Sequence, residues 1–243
     1  RGEKRLVFCD SRSSAEQLGS MLRTHSIRTF VSHASLSLSE RRQAEAAFSE
    51  ERDCVIVATS TPDMVFPSTA CILQRKLGVH GCPAFDVQAV CSGFVYALSV
   101  ADAMIRTGAA KNALVVGAET YSHILDWSDR RTCVLFGDGA GAVVLRADNA
   151  PGVISTHIHA DGQYQNLLHN PVGVSRGFKD EPNHGVRVLM SGNEVFRVAV
   201  RTLSRIVDET LAHNGLSKDA IDWLVPHQAN LRINEYCQKA LGL

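Results

Sequence analysis

The chain is 243 residues long, 45% hydrophobic and 21% charged, with 25 basic and 25 acidic side chains and a formal net charge of zero. At about 150 residues per domain this length allows one large or two small domains with a substantial core, and it excludes intrinsic disorder as the main state. A balanced charge offers no general field for nucleic acid or an anionic membrane, and no run approaches the roughly 18 apolar residues of a spanning helix. Arg1-Gly2-Glu3-Lys4-Arg5 leads into Leu6-Val7-Phe8 without a signal-peptide core, so a cytoplasmic protein is expected.

The first sixty residues alternate strands (6–9, 29–32, 54–59) with helices (13–24, 37–49), the βαβαβ order of a parallel sheet. Ser37 and Glu40 form a capping box at the start of the second helix. Beyond Pro62 small residues dominate, and the short apolar runs 113–117 and 142–145 suit strands buried on both faces. Residues 162–185, with Pro171, Gly173, Gly177 and Pro182, read as a long loop before sheet-like 186–190. A helix follows, with Phe196, Ala199, Leu203, Ile206, Val207 and Leu211 on its core face. Arg197, Arg201 and Arg205 stripe the opposite face, either as a solvated surface offset by Asp208 and Glu209 or as a docking patch.

Seven cysteines without a C-x-x-C pair suggest neither a disulfide framework nor a zinc ribbon, and most are expected to be small buried hydrophobes. His157 and His159 alternate in strand-like 153–159 without a cysteine or carboxylate pattern, so no metal site is expected.

Two corners carry candidate chemistry. In Phe85-Asp86-Val87-Gln88-Ala89-Val90-Cys91-Ser92-Gly93-Phe94 a strand turns into a long helix ending near Gly108, which places Cys91 at a helix N-terminus. Free N–H groups and the helix dipole there favour thiolate, although small buried cysteines also occupy helix starts for packing. In Trp223-Leu224-Val225-Pro226-His227-Gln228-Ala229-Asn230-Leu231-Arg232 a hydrophobic strand is expected to end in a polar corner, delivering His227 to a sheet edge. A cysteine and a histidine so placed are the parts that thiol-based acyl transfer needs.

From about Ile56 to Leu243 the chain resembles β-ketoacyl-acyl-carrier-protein synthase III, the condensing enzyme that starts fatty-acid synthesis. The resemblance rests on residues 66–71, 81–94, Phe136-Gly137-Asp138-Gly139-Ala140-Gly141-Ala142, His159-Ala160-Asp161-Gly162, Gly192-Asn193-Glu194-Val195-Phe196 and 225–233, in family order. It implies a partial thiolase-like layered αβαβα fold over residues 61–243, with acyl-CoA as substrate and no permanently bound cofactor. It also implies Cys91 as the acyl-accepting nucleophile and His227 as the residue assisting decarboxylation of the malonyl thioester. Arg130, Asn193, Phe196 and Asn230 then belong to the substrate-binding set. Arg197, Gln228, Ala229, Asn230, Leu231 and Arg232 would meet an acidic acyl-carrier protein, and Phe66 would reach across a homodimer interface. The chain ends at Leu243, before the His-Gly-Asn loop that supplies the family's third catalytic residue, which implies acylation of Cys91 with impaired condensation.

Residues 1–60 depart from that family. Arg5-Leu6-Val7-Phe8-Cys9-Asp10-Ser11-Arg12, Val31-Ser32-His33-Ala34, Ser39-Glu40-Arg41-Arg42 and Val55-Ile56-Val57-Ala58-Thr59-Ser60 resemble the second RecA-like domain of DEAD/DEAH-type helicases, so the chain reads as a junction of two genes or a chimera. No G-x-x-x-x-G-K-[ST] motif is present, and residues 1–57 hold nine basic against eight acidic side chains, so neither ATP hydrolysis nor nucleic-acid binding is expected. The expectation from another class is a chimeric scaffold that folds or dimerises without turnover.

Overall fold

A computed structural model describes residues 53–150, 152–177 and 185–242. The expected strands and helices over residues 6–49, with their capping box, lie outside the described residues. The chain divides into two compact units, Arg1–Glu119 with Gly139–Val153, and Thr120–Asp138 with Ile154–Leu243.

The first unit is built on a four-stranded sheet. β1 (Asp53–Ala58) runs parallel to β2 (Ala84–Val87) on one side and to β3 (Asn112–Thr120) on the other, and β4 (Asp138–Arg146) lies beyond β3. Every residue of β1 is buried, as a two-sided apolar strand inside a layered α/β body must be. Side chains alternate between faces. Cys54, Ile56 and Ala58 join Ala113 and Val115 against Ala97 and Ala101 of α2 (Gly93–Arg106), whereas Val55 and Val57 join Ala70 and Leu73 of α1 (Thr69–Leu77) on the other face. The expected runs 113–117 and 142–145 fall inside β3 and β4, and the expected helix end near Gly108 is observed at Arg106. β1 precedes the expected boundary at residue 60 and pairs on both sides with strands that follow it.

α1 is fixed to the sheet at its N-terminus. The N–H groups of Thr69 and Ala70 donate to the two carboxylate oxygens of Asp86 on β2 (2.7 and 2.8 Å), and Cys71 N–H donates to Ser68 Oγ (3.2 Å). Three of the donors that an α-helix leaves free are thereby satisfied.

In the second unit Tyr121, Leu125 and Val188 form one small core, with Tyr121 stacked on Phe136 at 5.3 Å. α3 (Gly192–Asn214) packs on α4 (Leu231–Leu241) through Phe196, Val200, Leu203, Ile233 and Cys237. The expected sheet at 186–190 narrows to β6 (Leu189–Met190), which pairs antiparallel with β5 (Leu168–His169) inside the expected long loop.

Two further strand expectations fail. Residues 153–159 form no regular strand, and their polar side chains turn to α3: Ser155 Oγ accepts from Asn214 Nδ2 (2.7 Å), and His157 Nδ1 and His159 Nε2 both meet Glu209 Oε1 (3.3 and 2.8 Å). Residues 223–225 are likewise not a strand. The sequence reading also missed Glu209 as the carboxylate beside both histidines, and it gave Asp208 and Glu209 to the arginine stripe. Asp208 instead approaches Lys218 at 3.9 Å.

The cysteine expectation needs correction as well. Of the six described cysteines, all free, Cys54 and Cys237 are buried while Cys71, Cys82, Cys91 and Cys133 are partly or fully exposed. Two of these act as weak polar groups: Cys71 Sγ donates to Ala84 O (3.4 Å) and Cys82 Sγ accepts from Gln74 Nε2 (3.1 Å).

Candidate functional site

Cys91 leaves the carboxyl end of β2 on a one-turn 3₁₀ segment, Val90–Ser92, that runs directly into α2. The carboxyl ends of parallel strands are where open α/β sheets hold their ligands. Val90 adopts φ +43°, a left-handed conformation that a β-branched residue occupies only under strain. Gly93 lets the helix start lie against β1, since a Cβ there would stand 3.2 Å from Ala58 Cβ. Cys91 opens on a shallow depression of about 280 Å³ with Phe94, Gly117, Glu119 and Gly139–Gly141.

The expected thiolate is not what this corner favours. Desolvation of the sulfur pushes the Cys91 thiol up, although much of the residue's surface is open. A backbone N–H hydrogen bond at Cys91 pulls down against it, and the negative charge of Glu119 pushes up further. Glu119 was not among the expected site residues. Its Oε1 accepts Ser60 N–H (2.9 Å) and its Oε2 accepts Thr61 Oγ1–H (2.6 Å), tying the turn after β1 to the end of β3. No local pattern marks it, because its partners lie 59 and 58 residues away in the chain.

His227 lies in the second unit on an irregular, exposed segment, and desolvation of its ring lowers its pKa, which favours neutral imidazole at pH 7. Gln228 and Ala229 are exposed, and Gln228 Nε2 donates to Pro226 O (3.3 Å). Asn230 caps α4, its Oδ1 accepting Arg232 N–H at 2.9 Å, while Leu231 and Arg232 open the helix on its exposed side. Arg197 is exposed on α3, and Arg201 donates to Tyr164 Oη (3.0 Å). Asn193 is exposed in the first turn of α3, whereas Phe196 is half-buried in the α3/α4 core. Arg130 is exposed, and Phe66 in the first unit is 82% exposed. Among the described residues no group of three His, Cys, Asp or Glu side chains could hold a metal ion, and no helix is long and apolar enough to cross a membrane.

Residues 85–162 match the family 3-oxoacyl-[acyl-carrier-protein (ACP)] synthase III, residues 211–243 match the C-terminal part of the same synthase, and residues 1–63 match the helicase conserved C-terminal domain. The β-ketoacyl-[acyl-carrier-protein] synthase III of Thioalkalivibrio sulfidiphilus is 63% identical over 205 residues, which are 84% of this chain and 64% of that protein. The crystal structure of 3-oxoacyl-[acyl-carrier-protein] synthase III from Aquifex aeolicus superposes with a TM-score of 0.74 at 40% identity, over 85% of this chain and 62% of that one. The Thermus thermophilus synthase III superposes with a TM-score of 0.75, also at 40% identity, over 85% and 63%. The chain thus spans a little under two thirds of these relatives. From about residue 56 onward it resembles the β-ketoacyl-acyl-carrier-protein synthase III family in sequence and has the thiolase-like α/β fold of those structures.

Proposed function

We propose that the chain is an acyltransferase of the synthase III type, in which Cys91 takes an acyl group from acyl-CoA. The observation that carries this reading is the placement of Cys91 on a strained corner at the carboxyl ends of parallel strands, open to a depression floored by small residues. The thiol first gives up its proton. The sulfur then attacks the thioester carbonyl carbon, the carbonyl oxygen carries the negative charge of the tetrahedral intermediate, and that intermediate collapses with loss of coenzyme A thiolate, which takes up a proton. Because the Cys91 thiol is raised, acylation should accelerate as pH rises above neutrality.

For the whole protein the reading continues to condensation with malonyl-acyl-carrier protein. His227, with its pKa lowered, is proposed to act as neutral imidazole in decarboxylation. The exposed arginines Arg197 and Arg232, with Gln228, Ala229, Asn230 and Leu231, are proposed to meet an acidic carrier protein. Arg130, Asn193, Phe196 and Asn230 are assigned to substrate binding. Phe196 and Asn230 also have structural duties, in the α3/α4 core and as a helix cap, so substitutions there would test stability and binding together.

The test is incubation with acetyl-CoA, acid quench and peptide mass spectrometry beside Cys91→Ala. A near-stoichiometric acetyl label on the Cys91 peptide, absent from the variant, is expected. An unlabelled Cys91 in folded protein would replace this reading with a non-catalytic scaffold.

A further inference from the structure

We infer that Glu119 is a positioning residue of the nucleophile corner, tying the turn after β1 to the end of β3 and presenting a fixed negative charge to Cys91. The inference rests on the proposed role of Cys91 and adds to it a residue that the sequence reading did not contain. Three parallel strands deliver the parts: β1 ends before Ser60 and Thr61, β2 before Cys91, and β3 carries Glu119 in its final turn of sequence. Ala58 of β1 stands in register with Gly117 of β3, which sets the two strand ends side by side. The carboxylate has both oxygens engaged, one by the Ser60 N–H at 2.9 Å and one by the Thr61 hydroxyl at 2.6 Å, so its direction is fixed.

Of the residues lining the depression, Cys91 and Glu119 are the two with ionisable side chains, and Ala58, Gly117, Ala118, Gly139, Ala140 and Gly141 bring no competing charge. A fixed carboxylate in a small-residue pocket disfavours a second negative charge beside it, so it opposes the thiolate but not a neutral acyl-cysteine. The consequence is a nucleophile kept as thiol at rest. Its proton has to be removed at the moment of attack, and the acylated form feels no repulsion.

The experiment measures alkylation of Cys91 by neutral iodoacetamide from pH 6 to 10, read by peptide mapping, in the full chain and in Glu119→Gln. Loss of the charge is expected to move the midpoint to lower pH and to speed alkylation at pH 7 about 3- to 10-fold, the change in thiolate fraction that a shift of half a unit to one unit produces. A profile identical to that of the unsubstituted protein, with unchanged circular dichroism, overturns the inference. Should Glu119→Gln not fold, the unsubstituted protein decides: raising KCl from about 0.05 M to about 1 M screens the carboxylate, the midpoint is expected to move to lower pH, and an unmoved midpoint overturns the inference. Acetyl-CoA labelling is run in parallel. A protein that resists acetylation but shows the Glu119→Gln shift loses only the acyl-transfer reading, and one that is acetylated without the shift loses only this inference.

Discussion

Glu209 sits under two imidazoles, accepting from His159 at 2.8 Å and meeting His157 at 3.3 Å. The hydrogen bond from His159 first, and then the histidine charges, hold its carboxyl below the ordinary range. A depressed carboxyl pKa contributes stability that is complete above the unfolded value and is lost as pH falls through the folded one. Glu209→Gln is therefore expected to melt at a lower temperature than the unsubstituted protein at pH 7. The two melting curves should converge as the pH is taken below the ordinary carboxylate range, and a gap that persists in acid would assign the loss to packing. Neither Glu209 nor Glu119 was legible in the sequence, since each meets partners 50 or more residues away and no local period marks such a pair. The place of Cys91 between a strand and a helix was legible because such a corner is a local pattern. The protonation of Cys91 was not, because the helix-end amides that argue for thiolate are written locally whereas the burial and the Glu119 charge that oppose them arrive through the fold.

Elements held by side-chain periodicity were read well. The core face of α3 follows the helical spacing from Phe196 to Leu211, and the element observed is Gly192–Asn214. Strands depend on partners that alternation alone does not name. Residues 153–159 carry a strand pattern, yet they form no regular strand, and Ser155 and His159 turn their side chains to α3. Between elements the margin is narrow at Gly93, where the start of α2 meets β1. A side chain there has to displace Ala58, which is itself only 5% exposed. Gly93→Val is expected to cost about 1–3 kcal/mol, the range for overpacking a filled core. Urea denaturation measures that loss, and acetyl labelling of Cys91 should fall with it because α2 begins two residues beyond the nucleophile. A Gly93→Val protein of unchanged stability would mean that the contact relaxes freely.

At the scale of the molecule, Met64, Val65 and Phe66 form a continuous apolar run at 53%, 69% and 82% exposure, a kind of surface that soluble chains usually cover. The family resemblance assigns Phe66 to a dimer interface, and Phe66→Asp is accordingly expected to lower the mass measured by light scattering from dimer towards monomer. A mass that does not respond, or an unsubstituted protein that is monomeric, removes this assignment. β1 has another consequence. It is the first of the four strands in chain order and an inner strand of the sheet, so its neighbours at Ala84–Val87 and Asn112–Thr120 are made later. On a ribosome adding about 5–20 residues per second, the 53 residues between Ala58 and Asn112 take roughly 3–11 s to synthesise. During that interval the sequence Cys54-Val55-Ile56-Val57-Ala58, which ends up sealed on both faces, has one of its edges open to any other nascent strand. The interior of the sheet is thus most open to wrong pairing while the chain is still being made.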